Sequence, residues 1–359
     1  MVTKFIYTLS PRICQAKHRQ RWARQQFLRP NIAIVGGYHY GNLGDMLLGE
    51  TTKNEFAAAS GSPIDGIGLQ TIYNLEKWPK TETVIVGGGA IINNKNISKL
   101  RERINEERSR FSIIGIDVLT MDLDDENIEF LRSLPYLSAR SIEQAERLRA
   151  AGATNCRVMP DIVLAYKMGS STQRAQNTSR VGVNVVPALR GGCTARSTTR
   201  ECASYRNFLR ELAQKYINKG QEVVHIPFTP YDDQAAKEIF RGIKVRRLRY
   251  SSNSTKVVRE VAACTTLIPS RFHALIISIL TDVPFVPLLY AGKSERLLKN
   301  YLPSIRGITI DELASCSGRI YNMGDVADPI LPDRAELKAA SDKVRNEFSH
   351  LSSALDQHG

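Results

Sequence analysis

Long hydrophobic runs and paired cysteines are both missing from this sequence. No apolar stretch approaches the roughly 20 residues that a membrane-spanning helix needs. The longest, at 274–280 and 283–290, predict a buried helix and a buried strand. The 6 cysteines have no C-x-x-C spacing, which argues against a zinc site and against a disulfide-stapled miniprotein. We therefore expect no metal and a reducing, cytoplasmic environment.

Acidic residues are few relative to basic ones. The chain has 49 Lys and Arg against 36 Asp and Glu, a net charge of +13, which predicts an anionic partner such as a phosphorylated substrate, a membrane surface or nucleic acid. The first acidic residue is Asp45, so residues 1–30 form a basic N-terminal arm. The arm lacks the apolar stretch of a secretory signal. Aromatic residues do not alternate with the basic run at 244–249, so nucleic-acid binding is the least favoured of the three.

The apolar content, 42% of 359 residues, is enough for two hydrophobic cores. In the first half, strands are predicted at 31–35, 83–86 and 111–116, and helices from Asp45 to about residue 59 and over 141–151. After a polar linker at 168–180, strands are predicted at 181–186, 222–226, 243–248, 266–268 and 285–288. Strands that alternate with helices indicate parallel sheets covered on both faces. We therefore predict an α/β fold with two domains, 31–170 and 171–331.

The last part of the chain predicts one long amphipathic helix. Asp333 and Glu336 have the spacing of a capping box. Apolar residues follow at intervals of three and four: Leu337, Ala340, Val344, Phe348, Leu351 and Leu355. We define 332–359 as the C-terminal helix, and one place where its apolar face would pack is the first domain.

Two glycine-rich junctions follow predicted strands. The first runs from Gly36 to Asp45 with the sequence GGYHYGNLGD. Glycines at a strand end let backbone N–H groups approach a ligand, and the next helix N-terminus favours an anion. The spacing is neither that of a dinucleotide-binding turn nor that of a P-loop, so the alternative is a tight turn in which Asp45 only starts a helix.

The second junction is Gly87-Gly88-Gly89, which follows the strand at 83–86. Three consecutive glycines are costly unless the backbone needs a positive φ or lies close to a ligand. A ligand-facing turn is favoured over a turn that only packs closely against the neighbouring domain.

A third junction, at 269–275, joins an apolar strand to an apolar helix and contains Arg271 and His273. The planar guanidinium of Arg suits phosphate or carboxylate, and His exchanges a proton near neutral pH. Lys293 follows another apolar run, where it would either hold a phosphate or lie in solvent. Arg140 and Asp161 also stand at element ends, and the pattern alone gives them no role.

Taken in order, these segments resemble the polysaccharide pyruvyl transferase family. The resemblance covers about 31–298 and rests on G-N-x-G-D at 41–45, the glycine turn at 87–89, the Arg140 segment, Asp161, R-x-H-A at 271–274, and V-P at 283–284 leading to Lys293. The chain departs from the usual family pattern at Met46, where an acidic residue is common, and at Ser141 and Gln144 after Arg140.

The resemblance implies two Rossmann-like domains arranged as in GT-B glycosyltransferases, with the active site in the cleft between them. It implies that phosphoenolpyruvate is the donor, with no further cofactor, and that a sugar diol on a cell-surface polysaccharide or its lipid-linked precursor is the acceptor. The product would be a pyruvate ketal. It also implies a cytoplasmic protein, peripheral at the inner face of the membrane. The basic arm would either contact anionic lipid there or be a disordered basic tail.

The same resemblance suggests roles for individual residues. His273 and Asp45 are the candidate catalytic residues, with Asp161 a further carboxylic acid to consider. Donor binding is assigned to Arg271, Lys293, Arg140, Gly88 and Gly89. Asn42 and Asp45 are placed on the acceptor side. A histidine suits the required chemistry because an acid must protonate the methylene carbon of phosphoenolpyruvate.

Three other functions stay open on sequence grounds. A GT-B glycosyltransferase that uses a nucleotide sugar shares the fold, but the sequence shows no evident pocket for a base. A basic nucleic-acid-binding protein would show steep salt dependence. A non-catalytic relative that binds a glycan would share the fold. The departures from the family pattern near Met46 and Ser141 leave this function open.

Overall fold

The computed structural model of the protein describes residues 31–38, 41–72, 81–107, 110–118, 123–169, 179–187, 199–315 and 328–357. The basic arm at 1–30 and most of the predicted linker lie outside the described residues. Contacts divide the chain into two units. Unit 1 comprises Met1–Gly41, Asp45–Lys167 and Lys338–Gly359, and unit 2 comprises Asn42–Gly44 and Met168–Leu337. Neither unit is therefore one continuous stretch of chain.

Unit 1 contains a six-stranded parallel sheet in the order β2-β1-β3-β4-β5-β6. Its strands are β1 (Ile32–Gly36), β2 (Ile67–Thr71), β3 (Thr83–Ile92), β4 (Arg110–Val118), β5 (Leu137–Ala139) and β6 (Arg157–Val158). Its helices before residue 168 are α1 (Leu43–Ser60, whose first two residues group with unit 2), α2 (Asn94–Glu107), α3 (Asp125–Ser133) and α4 (Ile142–Ala150). The strand order reverses between β1 and β3, which is where such sheets usually bind ligands.

Unit 2 contains a four-stranded parallel sheet in the order β10-β7-β8-β9 and a separate parallel pair, β11-β12. The strands are β7 (Arg180–Val183), β8 (Glu222–His225), β9 (Arg246–Arg247), β10 (Thr266–Ile268), β11 (Leu288–Leu289) and β12 (Ile308–Thr309). The helices are α5 (Thr199–Asn218), α6 (Pro230–Ile239), α7 (Ser254–Ala262), α8 (Phe272–Leu280), α9 (Gly292–Tyr301) and α10 (Ile310–Ser315). Here the strand order reverses between β7 and β10.

Local sequence explains why several elements begin and end where they do. The Ser141 side chain accepts a hydrogen bond from the Gln144 N–H and caps α4. Gly152, just beyond that helix, has a φ of +112°, which glycine adopts readily. Residues of α8 are buried almost without exception, as expected of a helix that is apolar on every side. The predicted α/β class with parallel sheets is confirmed.

Several strands differ from their predicted bounds, and the one predicted at 285–288 is observed at Leu288–Leu289. The strand predicted at 83–86 continues through the three glycines to Ile92, because β4 pairs with it along this length. The strand predicted at 243–248 is reduced to Arg246–Arg247. This segment lies at the edge of the sheet and pairs with β8 alone.

The last helix, α11 (Arg334–Gln357), packs its apolar side within unit 1 from Lys338 onward. Ala340, Val344, Phe348, Leu351 and Leu355 are buried. The Glu347 carboxylate accepts hydrogen bonds from Tyr136 at 2.6 Å and from Arg157 at 2.7 and 3.0 Å. At its start, Asp333 accepts from the Ala335 N–H, whereas Glu336 binds Ser304. Among the described helices, none is both long enough and apolar enough to cross a membrane.

Candidate functional site

The start of α1 groups with unit 2 through the motif residues Asn42, Leu43 and Gly44. The Asn42 side chain accepts a hydrogen bond from the Gly44 N–H at 3.1 Å, which caps the helix. The Leu43 N–H donates to the Phe228 carbonyl at 2.9 Å. Asn42 therefore holds the turn in shape, and the turn is fixed to the loop that follows β8.

Gly44 lies directly against the ring of His273. A Cβ atom built on Gly44 would lie 1.9 Å from His273 Nδ1 and 2.5 Å from its Cγ, distances that no folded protein tolerates. The second glycine of G-N-x-G-D is thus required for the close approach of the imidazole. His273 itself is 7% exposed, near the N-terminus of α8, and its ring meets Phe272 edge-on with 5.0 Å between centroids.

Arg271 lies at the carboxyl end of β10 and precedes α8 as its N-cap residue. Its Nε donates to the Asp232 carboxylate at 2.7 and 2.9 Å, and its Nη2 donates to the same carboxylate and, at 3.1 Å, to Thr229 Oγ1. Burial works to lower the pKa of Arg271, but attraction to Asp232 outweighs it and raises that pKa above its ordinary value. The guanidinium therefore stays charged and is held in one orientation.

Behind Arg271 lies a buried polar network at the point where the order of the unit 2 sheet reverses. The Asn184 side chain accepts from the Arg271 N–H at 2.9 Å and donates to the Ile226 carbonyl at 3.0 Å. The Tyr205 hydroxyl donates to Ser270 Oγ at 2.7 Å. Asn184, Tyr205 and Ser270 are all at most 1% exposed, so the network fixes the backbone that carries Arg271.

Lys293 lies in the first turn of α9. Its Nζ is 5.2 Å from the centre of the Phe272 ring, within the range of a cation–π contact. Phe272 thus contacts both Lys293 and His273, and the structure brings Arg271, His273 and Lys293 together around the start of α8. From the sequence, Arg271 and His273 were predicted as a pair, and Lys293 was added to the donor side only through the family resemblance.

Unit 1 places the other glycine motif at the reversal point of its own sheet. Gly88 and Gly89 have φ values of +71° and +99°, the left-handed region that favours glycine. A Cβ on Gly88 would lie 3.0 Å from Leu48, whereas a Cβ on Gly89 would meet nothing within 4 Å. The Tyr38 hydroxyl donates to the neighbouring Gly87 carbonyl at 2.7 Å.

Asp45 is in the first turn of the part of α1 that belongs to unit 1. A Cβ on Gly37 would lie 3.7 Å from its Oδ2, so its carboxylate lies beside the turn after β1. Burial, and then the charge of Asp45, raise the pKa of Tyr38 well above its usual range. Tyr38 is therefore a neutral hydrogen-bond donor and not a proton-transfer group.

Arg140 lies at the carboxyl end of β5 and is enclosed by two carboxylates. It binds Asp117, and its Nη1 is 3.0 Å from Asp161 Oδ2. Arg140 is 5% exposed and Asp161 is fully buried. Burial works to lower the pKa of Arg140, but Asp117 and Asp161 raise it above the ordinary value. Asp161 also accepts a hydrogen bond from the Val163 N–H. Because Asp117 lies in β4, Arg140 follows β5 and Asp161 follows β6, this cluster joins the ends of three strands.

Asp232, Asn184, Asp117 and Tyr38 were not identified from the sequence. Asp232 stands two residues after Pro230, and this pattern is typical of an ordinary helix start. Asn184, Asp117 and Tyr38 lie at or just after strand ends. That position was the one sequence signal that could have identified them. In the described part of the chain, no group of three or more His, Cys, Asp or Glu has the arrangement of a metal site.

His225 is a further buried group beside this region, at the end of β8. It is fully buried, and neither ring nitrogen has a hydrogen-bond partner among the described residues. Burial lowers the pKa of His225 to about 4, with Asp232 opposing the shift and Arg247 and Arg271 adding to it. His225 is therefore neutral at physiological pH.

Solved structures with similar folds include several sugar-nucleotide enzymes. Escherichia coli ADP-heptose lipopolysaccharide heptosyltransferase II is 14% identical, with 91% of this chain and 99% of that chain covered and a TM-score of 0.42. UDP-GlcNAc 2-epimerase from Methanocaldococcus jannaschii is 11% identical, with 88% and 98% covered and a TM-score of 0.47. Anabaena HepE in complex with UDP and glucose is 13% identical, with 92% and 98% covered and a TM-score of 0.43.

No curated protein sequence matches this chain. A family model described as polysaccharide pyruvyl transferase matches residues 42–292, which is well over half of the chain. The matched range includes Asn42 and Asp45 at the start of α1 and Arg271 and His273 at the start of α8, and Lys293 is the next residue after it. The chain therefore belongs to the polysaccharide pyruvyl transferase family.

Proposed function

We propose that this protein transfers the enolpyruvyl group of phosphoenolpyruvate to a sugar diol and closes it to a pyruvate ketal, with release of phosphate. The observation that carries the proposal is the arrangement at the start of α8. There Arg271 is locked by Asp232, the His273 ring lies against Gly44, and Lys293 contacts Phe272. Family membership supports a transferase with a saccharide acceptor.

The donor carries a phosphate and a carboxylate, so its site needs at least two cations. Arg271 and Lys293 supply them in unit 2, on two neighbouring helix starts. Cations and helix N-termini that are fixed before the ligand arrives stabilise negative charge without reorganisation. We assign the donor to these residues.

The reaction requires one proton delivered and two oxygen–carbon bonds formed. His273 gives a proton to the methylene carbon while a sugar hydroxyl attacks the adjacent carbon, and Asp45 accepts the proton from that hydroxyl. The neighbouring hydroxyl then attacks the same carbon and gives its proton to His273, the bond from that carbon to the phosphate oxygen breaks, and inorganic phosphate leaves with the proton that Asp45 held. Both roles are of the general acid–base kind.

The remaining residues take supporting roles in this proposal. Gly89 leaves room for a ligand, since a Cβ there would meet nothing within 4 Å, whereas the buried Gly88 packs against Leu48. Asn42 shapes the turn that carries Asp45 on the acceptor side. For Arg140, which two carboxylates enclose, we propose that it fixes the strand ends of unit 1 rather than touching the donor.

Thermal unfolding with phosphoenolpyruvate, UDP, GDP and their sugars tests the donor. A ligand at about 100 times its dissociation constant adds roughly 2.7 kcal/mol of stability, and we expect a shift with phosphoenolpyruvate alone. Lys293→Ala should reduce that shift, whereas Lys299→Ala, at an exposed position of the same helix, should leave it unchanged. A shift with a nucleotide sugar alone would reject the proposal in favour of a glycosyltransferase.

We also propose that the acceptor is lipid-linked and that the protein acts at the inner face of the cytoplasmic membrane. The net charge of +13 supports this, as do the exposed cations Arg241, Lys244 and Arg249 in unit 2. Each cation near anionic lipid adds on the order of 1 kcal/mol. Unchanged binding to phosphatidylserine vesicles after deletion of residues 1–29 would contradict a membrane role for the arm.

A further inference from the structure

Asp232 is a fully buried carboxylate that takes no bond-making or proton-transfer step in the proposed mechanism. It lies in the first turn of α6 and accepts hydrogen bonds from the backbone N–H groups of Phe228 at 2.9 Å and Thr229 at 3.0 Å. Thr229 Oγ1 donates to it at 2.7 Å. Asp232 is therefore fixed by the loop after β8 independently of Arg271.

Arg271 approaches this fixed carboxylate with one edge of its guanidinium. Nε and Nη2 bind Asp232, and Nη2 also binds Thr229 Oγ1. Of the five N–H donors of a guanidinium, this arrangement uses three, the Nε hydrogen and both Nη2 hydrogens. Nη1 makes no hydrogen bond to any residue within the described ranges, and the side chain keeps 18% of its surface exposed.

The same loop is joined to the glycine motif. The Phe228 carbonyl accepts from the Leu43 N–H at 2.9 Å, and Leu43 precedes Gly44, which contacts His273. One short segment, 228–232, thus binds Arg271 directly and is joined by a hydrogen bond to the glycine turn that lies against His273.

We propose that Asp232 is the positioning residue of the donor site: it holds Arg271 so that the Nη1 amino group is presented to the anionic donor. This inference rests on the proposed function for the identity of that donor. An arginine held on one edge by a carboxylate loses little side-chain freedom when it binds on the other, which favours affinity. Asp232 acts through Arg271 and does not touch the substrate.

Substitution of Asp232 by Asn tests the role, because the side chain keeps its size and loses the charge that orients Arg271. The KM for phosphoenolpyruvate should rise at least ten-fold, while the KM for the acceptor changes by less than two-fold. Asp233→Asn is the matched control, since Asp233 is adjacent, partly exposed and 3.5 Å from Arg247, and it should leave both values unchanged.

A double-mutant cycle separates positioning from general stability. In an Arg271→Met background, Asp232→Asn should cause no further loss of donor binding, because there is no guanidinium left to orient. Equal losses with and without Arg271 would overturn the inference. If Asp232→Asn fails to fold, Thr229→Val replaces it in the cycle, since it removes only the hydroxyl that both residues bind.

Donor binding in this cycle is measured with a ligand that stabilises the unaltered protein. That ligand is chosen from the panel of phosphoenolpyruvate, UDP, GDP and their sugars. If phosphoenolpyruvate does not bind but a nucleotide sugar does, the proposed function fails while the role of Asp232 is still measured with the nucleotide sugar. If none of these anions binds, both are overturned.

Discussion

The contact between Gly44 and His273 ties one residue of the glycine motif to the candidate acid. Gly44→Ala would place a methyl group 1.9 Å from Nδ1, so the imidazole must move. We expect a loss of about 1–3 kcal/mol in stability from overpacking and a loss of turnover close to that of His273→Ala. Gly66→Ala, whose Cβ would lie 3.7 Å from Pro63, is the control. Full turnover in a folded Gly44→Ala variant would contradict the close approach.

The burial of His225 predicts that the folded protein loses stability as the pH is lowered. Burial holds its pKa at about 4, below the ordinary 6.5. Between these values the unfolded chain binds a proton that the folded chain does not, so stability falls as the pH is lowered through this window. His225→Leu should reduce the loss of stability between pH 7 and pH 5 by about 2 kcal/mol.

Urea unfolding of the wild type and of His225→Leu at both pH values measures this difference. Equal losses in the two proteins would show that His225 is protonated in the folded state at pH 5, which is inconsistent with its full burial.

At the scale of elements, buried ion pairs hold the ends of the strands. Arg140→Met would leave Asp117 and Asp161 buried without their shared cation, and we expect a loss of about 3–5 kcal/mol. Arg246→Met, which breaks the exposed pair with Glu222, should cost at most about 1 kcal/mol. Chemical denaturation measures both. A cost for Arg140→Met no larger than that for Arg246→Met would show that the carboxylates are not isolated from water.

Elements with local signals were predictable from the sequence. The strand at 266–268 and the helix after Ser141 were predicted because an apolar run and a cap lie within them. The strand bounds at 83–92 and 246–247 were not, because they depend on which neighbouring strand supplies hydrogen bonds.

The same distinction applies to the candidate site. Arg271 and His273 stand at a visible strand–helix junction. Asp232 binds Arg271 from 39 positions away, and Asn184 does so from 87. Such pairs are set by the order of strands in the sheet, which local patterns do not contain.

At the scale of the whole molecule, α11 completes the core of unit 1. Phe348 is 1% exposed, and Phe348→Ala should cost about 3–5 kcal/mol. Asn346→Ala, at an exposed position of the same helix, should leave the unfolding midpoint unchanged. Equal midpoints for the two variants would show that α11 contributes little to the stability of unit 1.

The division of the chain has a consequence for how the protein is made. Residues 168–337 of unit 2 separate the main part of unit 1 from Lys338–Gly359, which belong to it. Domains generally fold as they leave the ribosome, the N-terminal one first. Here the earlier unit must wait for its last helix while the later one is translated. During that interval, the surface that α11 will cover is open to solvent and to chaperones, so a premature stop codon after residue 337 would leave unit 1 unfinished.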